Sequence, residues 1–119
     1  MKNILIVDDN QDNLTLFEAY LEDDYEVTLA ESAKSAMRKI DDKVPDMAIL
    51  DIRMPEIDGF DLLSLIREHE SAKDIPILLL SAEGQLMNNE SAQRMGAQAY
   101  AHKPILKEDL IKIVEKLIS

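Results

Sequence analysis

One repeated unit constrains this chain more than anything else in it. A short unbroken apolar run ends in a polar residue, and a segment with apolar positions at helical spacing follows. The runs Ile4-Val7, Met47-Leu50 and Ile77-Leu80 lead into Asp8-Asp9, Asp51 and Ser81, and the run Gln98-Ala101, with its Tyr100, leads toward Lys103. Continuous apolar runs of this length mark strands buried on both faces. Tyr25, Val27 and Leu29 alternate with polar neighbours, which suits a strand nearer the sheet edge. Between the runs, Leu14, Phe17 and Leu21 follow helical spacing, as do Ala33, Ala36, Met37 and Ile40, then Leu62, Leu63 and Ile66, and finally Leu110, Ile113, Val114 and Leu117. A weakly patterned polar helix is expected over Leu86-Arg94, ended by Gly96. Asn10 or Asp12 and Ser32 are placed to cap helices, Pro45 stops the second, and Asp58-Gly59 opens the third. Alternating strands and helices predict an α/β fold: a doubly wound parallel sheet covered on both faces through right-handed crossovers.

Five parallel strands would deliver Asp8, Asp9, Asp51, Ser81 and Lys103 to one sheet edge, the edge at which open α/β sheets take ligands. Two carboxylates ~5 Å apart repel by about 3 kcal/mol at an effective dielectric of 20. Three in one pocket need raised pKa values or a cation among them. A hard divalent ion meets that need. Mg2+ fits because it requires only one or two carboxylates and accepts phosphate oxygens, and Mn2+ can stand in for it. Taken singly, Asp8 and Asp9 could equally cap the first helix, and Asp51 could cap a strand end. A carboxylate beside such an ion can attack phosphorus to give an acyl phosphate, with Lys103 as a point charge for a phosphate oxygen and Ser81 as a hydroxyl donor.

Size and composition narrow the classes. The 119 residues suit a single domain spanning 1-119, and 46% apolar residues suffice for a core. A net charge of -11 argues against direct nucleic-acid binding. The absence of cysteine excludes disulfides, thiolate catalysis and cysteine zinc sites. No apolar run approaches the ~20 residues of a membrane span, and the first one is too short for a signal-peptide core. A soluble, cytoplasmic chain is expected.

The segments Ile4-Leu5-Ile6-Val7-Asp8-Asp9-Asn10, Leu50-Asp51-Ile52-Arg53-Met54-Pro55-Glu56-Ile57-Asp58-Gly59, Leu80-Ser81-Ala82 and Gly96-Ala97-Gln98-Ala99-Tyr100-Ala101-His102-Lys103-Pro104 together resemble the receiver domain of two-component response regulators. The likeness covers essentially the whole chain. It implies a flavodoxin-like (βα)5 fold with strand order 2-1-3-4-5. No effector domain is expected within residues 1-119, whether the chain stands alone or is a receiver excised from a longer protein. It implies that Asp51 is the phosphoacceptor for a histidine kinase or histidine phosphotransfer protein. Asp9, Asp51 and the backbone carbonyl of Arg53 would hold Mg2+, with Asp8 beside it or bridged by water. Lys103 would bind the phosphoryl group, Ser81 would move toward it, and Tyr100 would turn inward behind Ser81. A cis Lys103-Pro104 peptide is implied too. Output to a downstream protein would pass through the Leu86-Arg94 helix, the Gln98-Ala101 strand and the last helix, in a monomer or a phosphorylation-dependent homodimer.

Arg53 and Glu83 stand two residues after Asp51 and Ser81, so both should overhang the pocket and tune acyl-phosphate lifetime, either as a pair across the mouth or as separate solvated charges. His69 and His102 are read as surface residues rather than phosphodonors. A Mg-dependent phosphatase of the haloacid dehalogenase type is the enzyme alternative, but it needs an aspartate general acid where this chain has Arg53. A nucleotide or flavin module would want a glycine- or hydroxyl-rich phosphate loop where Val7-Asp8-Asp9-Asn10 stands. A pure interaction domain is the third alternative, and the complete acidic set argues against it.

Overall fold

The computed structural model describes residues 1–82 and 89–118. Along the chain run β1 (Asn3–Val7), α1 (Gln11–Leu21), β2 (Glu26–Ala30), α2 (Ala33–Asp42), β3 (Met47–Asp51), α3 (Gly59–Glu68), β4 (Ile77–Ser81), α4 (Asn89–Arg94), β5 (Ala99–His102) and α5 (Lys107–Ile118). The strands form one parallel sheet in the order β2-β1-β3-β4-β5, so the expected flavodoxin-like architecture is present.

Strand alternation divides the core into two layers. Leu5, Val7, Ala48, Leu50, Ile77 and Leu79 face α2, α3 and α4, where they meet Ala36, Ile40, Leu62, Ile66 and Ala92. Ile4, Ile6, Met47, Ile49, Leu78 and Leu80 face α1 and α5, where they meet Leu14, Phe17, Leu21, Leu110 and Val114. The central strands are buried along their whole length, which is why their sequences read as unbroken apolar runs. The edge strands β2 and β5 are only partly covered.

Local signals set the helix starts. Asn10, not Asp12, caps α1, its side chain accepting from the Asn13 amide; Ser32 caps α2 and Asp58 caps α3 in the same way. Several details differ from the expectation. Tyr25 precedes β2, its amide engaged by the Leu21 carbonyl at the end of α1. β5 begins at Ala99, because Gln98 uses its side-chain oxygen to accept from the Ile77 amide. On α5 the buried stripe is Leu110, Val114 and Ile118, with Ile113 and Leu117 on its half-buried flanks. Of the expected Leu86-Arg94 helix, residues 86–88 lie outside the described residues.

Arg67, in the last turn of α3, ties together the loop before β4 and the loop before β5. Its Nε and Nη2 donate to the Gly96 carbonyl (3.0 and 2.6 Å), its Nη1 to the carbonyls of Lys73 and Ile75 (2.9 and 2.8 Å), and its Nη2 also to Gln98 Oε1 (2.9 Å). Gly96 adopts φ +102°, a conformation that favours glycine and turns its carbonyl into this fork. Arg67→Met keeps the aliphatic stem and strips every donor. The expected cost is about 2–4 kcal/mol in urea unfolding, because several carbonyls lose a charge-assisted partner together. Arg67→Lys should recover little, since one ammonium cannot span that fork. A loss below about 0.5 kcal/mol for the Met variant would reduce the clamp to a surface contact.

Candidate functional site

At the C-terminal edge of the sheet, where the strand order reverses between β1 and β3, three carboxylates converge. Asp8 follows β1 and is buried; Asp9, next to it, is exposed; Asp51 is the last residue of β3 and is buried. One oxygen from each lies within 4.8 Å of the others.

Asp8 is fully engaged. Its Oδ1 accepts from the Asn10 amide (2.9 Å), and its Oδ2 accepts from Asn13 Nδ2 (3.1 Å) and Lys103 Nζ (3.0 Å). Lys103 also stands 2.9 Å from Asp51 Oδ1. That contact is an ion pair, and among the described residues the buried Asp51 Oδ1 has no hydrogen-bond donor. The Lys103 backbone is held against the end of β4, its amide donating to the Ser81 carbonyl (2.8 Å), and the Lys103-Pro104 peptide is cis.

The electrostatics follow from these distances. Burial, reinforced by the charges of Asp8 and Asp9 and only partly opposed by Lys103, raises the Asp51 pKa. Burial disfavours the charged Lys103 ammonium, but its contacts with Asp51 and Asp8 outweigh that penalty and raise its pKa. At an effective dielectric of 20, a contact near 3 Å between opposite charges is worth about 5 kcal/mol. Lys103 therefore offsets the repulsion between Asp8 and Asp51, but a third carboxylate leaves the set two charges negative. A hard divalent cation suits that remainder. The candidate ligand atoms are all oxygens, and Asp51 Oδ1 is a buried one with no hydrogen-bond donor among the described residues.

Ser81, the last residue of β4, is fully buried. By strand alternation it shares the face of Leu79 and Ile77, while Asp51 shares the face of Ile49 and Met47. The Ser81 hydroxyl lies 2.9 Å from Tyr100 Oη and 3.1 Å from His102 Nδ1. With Asp51 unmodified, Tyr100 is already half-buried against that core layer.

Of the residues singled out in the sequence, Asp8, Asp9, Asp51 and Lys103 are brought together, and Ser81 and Tyr100 pair one strand further along. Arg53 is exposed just beyond β3. Glu83, its expected partner across the mouth, lies outside the described residues. Two neighbours of the site stand outside the set that the sequence reading assigned to it. Asn13 holds Asp8 from the first turn of α1. His102 is exposed as expected, yet its ring engages the hydroxyls of both Ser81 and Tyr100. Its signal was its spacing: Tyr100 and His102 are two apart on a strand and share a face. His69 pairs with Asp41 and accepts from the Ser71 and Ala72 amides, away from the carboxylates.

The family model described as the response regulator receiver domain matches residues 4–115. The chain is 34% identical over 115 residues to an uncharacterized 14.6 kDa protein of Leptolyngbya boryana, covering 96% of this chain and 88% of that one. It is 32% identical to the response regulator SaeR of Staphylococcus aureus, with all of this chain aligned. The chain spans 51% of the SaeR length, about half. Among solved structures, the Vibrio cholerae chemotaxis protein CheY4 superposes with a TM-score of 0.90 at 29% identity, covering 98% of both chains. The receiver domain of NtrX from Brucella abortus superposes with a TM-score of 0.88 at 32% identity, covering 97% of both.

Proposed function

The chain belongs to the response regulator receiver family, and from that premise we propose that it is a phosphorylation-activated switch whose phosphoacceptor is Asp51. One observation carries the reading: a buried carboxylate oxygen with no hydrogen-bond donor among the described residues, beside two further carboxylates and 2.9 Å from a lysine ammonium.

The transfer balances simply. An Asp51 oxygen forms a bond to phosphorus while the bond from phosphorus to its carrier breaks, and the carrier keeps that electron pair. The carrier is a phosphohistidine nitrogen of a histidine kinase or histidine phosphotransfer protein, or the acyl oxygen of a small donor. Asp9, Asp51 and the Arg53 carbonyl would hold Mg2+ or Mn2+, with Asp8 beside it, and the bound ion would neutralise charge on the transferring group. Lys103 already faces Asp51, so its ammonium needs only a small shift to reach a phosphoryl oxygen. Hydrolysis of the acyl phosphate returns Asp51. The chain acts on its own carboxylate alone, and Arg53 offers no proton to a leaving group, which leaves the phosphatase alternative without its general acid.

The new charge would draw the Ser81 hydroxyl across from Tyr100, freeing that ring to repack. The surface placed to register the change is α4, β5 and α5, which would meet a downstream protein or a second copy of this chain. No helix among the described residues is long and apolar enough to cross a membrane, and we place the switch in the cytoplasm.

Two measurements test the reading. Mg2+ should raise the melting temperature, by about 1.4 kcal/mol of stability at tenfold excess over its Kd. Acetyl phosphate with Mg2+ should add one hydroxylamine-labile phosphoryl group per chain, and a chelator should abolish the addition. Uptake that is indifferent to Mg2+ would overturn the assignment of the carboxylates.

A further inference from the structure

The Ser81 hydroxyl has one proton, and its surroundings in this chain already claim it. Ser81 and His102 are register partners across β4 and β5, which places the imidazole directly opposite the serine. His102 Nδ1 lies 3.1 Å from Ser81 Oγ, Tyr100 Oη lies 2.9 Å from the same oxygen, and Tyr100 Oη lies 3.3 and 3.1 Å from the two ring nitrogens. The Tyr100 and His102 rings meet edge to face with centroids 4.9 Å apart. With the ring proton on Nε2, Ser81 donates to Nδ1 and accepts from Tyr100. With the ring proton on Nδ1, the ring donates to Ser81 and the serine proton turns to Tyr100. Either way the hydroxyl proton is committed inside this triangle, on the sheet face opposite to that of Asp51.

Resting on the receiver-switch reading above, we propose that His102 is a positioning residue that holds the Ser81 hydroxyl in its resting orientation and so sets how readily the site accepts a phosphoryl group. A phosphoryl oxygen is an acceptor only, so it must take the serine proton from this triangle. Tyr100 alone is a weak holder: a hydroxyl facing a hydroxyl can reverse the direction of its bond in place. The imidazole supplies a second, fixed partner, and its position on the strand opposite is set by the β4–β5 ladder. His102 itself is exposed, so its replacement leaves the core untouched.

The experiment compares the affinity of the full chain for beryllofluoride, a phosphoryl mimic, in Mg2+, read from the Ser81 and Ala82 amide resonances. His102→Phe keeps the ring against Tyr100 and removes the nitrogen; His102→Asn keeps a polar atom near the Nδ1 position. The Phe variant should bind about fivefold tighter, the equivalent of one neutral hydrogen bond. The Asn variant should stay within about twofold of wild type. In a Ser81→Ala background the Phe substitution should have no further effect, which a general change in β5 would not reproduce. A Phe variant that binds equally or more weakly overturns the proposal, as does an Asn variant that shifts as far as Phe or a gain that persists without Ser81. A wild type that binds no beryllofluoride in Mg2+ overturns the switch reading as well, so the two failures are distinguishable.

Discussion

Asp51→Asn takes up no phosphoryl group from acetyl phosphate in Mg2+, under conditions in which wild type acquires one per chain; mass spectrometry of the intact protein is the measurement. The amide nearly matches the carboxylate in shape, so the buried end of β3 should keep its packing. What it loses is the anionic nucleophile, and no neighbour replaces it: Asp8 is held by three hydrogen bonds from Asn10, Asn13 and Lys103. Residual labelling comparable to wild type would mean that another side chain is the acceptor. The same variant carries a second expectation of opposite sign. The Asp51 pKa is raised in the fold, chiefly by burial, so the folded chain favours the neutral form. A group of this kind contributes stability in acid and loses it as the pH rises through its folded pKa. Asn imitates the neutral form at every pH. In the absence of divalent cations, Asp51→Asn should therefore melt above wild type near neutrality, and the gap should close as the pH falls. A variant that melts below wild type at neutral pH would show that Lys103 needs Asp51 more than Asp51 suffers from Asp8.

Gly59→Ala should destabilise the fold by about 2–4 kcal/mol, although alanine is ordinarily the better helix former by about 1 kcal/mol. Gly59 is the first residue of α3, directly after the Asp58 cap, and its amide donates to the Ile52 carbonyl at 2.8 Å. A Cβ there would collide with the Asp51 carbonyl oxygen and sit 2.7 Å from Ile52 Cα. Both obstacles are backbone at the end of β3, at and just after Asp51, so no side chain can swing aside. The helix must back away or the end of β3 must bend. Urea unfolding reads the stability loss, and the rate of phosphoryl uptake should fall with it because Asp51 moves. A neutral or stabilised alanine variant would mean that the loop between β3 and α3 yields freely.

The architecture was legible because burial on both faces leaves a plain mark. Ile4-Val7, Met47-Leu50 and Ile77-Leu80 have no polar interruptions, and the caps Asn10, Ser32 and Asp58 stand where their helices begin. The carboxylate cluster was legible because parallel strands must all end at the same edge. The strand ends were less so. Asp51, Ser81 and His102 lie inside strands rather than after them, because the ladder continues through the Ile52 amide to Leu80 and the Lys103 amide to Ser81. Contacts that depend on register stayed hidden. His102 meets Ser81 across 21 positions, and Arg67 meets Gly96 across 29. No periodicity within one element announces either, since each needs two elements aligned to the nearest residue.

The lysine at 2.9 and 3.0 Å from two aspartates gives the pocket a resident positive charge on a tether. Any exchangeable ion arriving from solution meets a competitor that cannot diffuse away. A cation held there would share its carboxylates with the ammonium, so its occupancy would follow the free ion concentration instead of saturating early. On the proposed reading an arriving anion would meet the opposite situation: a cation at close range, released from one carboxylate as the other becomes a mixed anhydride. Order of arrival would then matter, with the metal tolerated and the group that comes after it favoured.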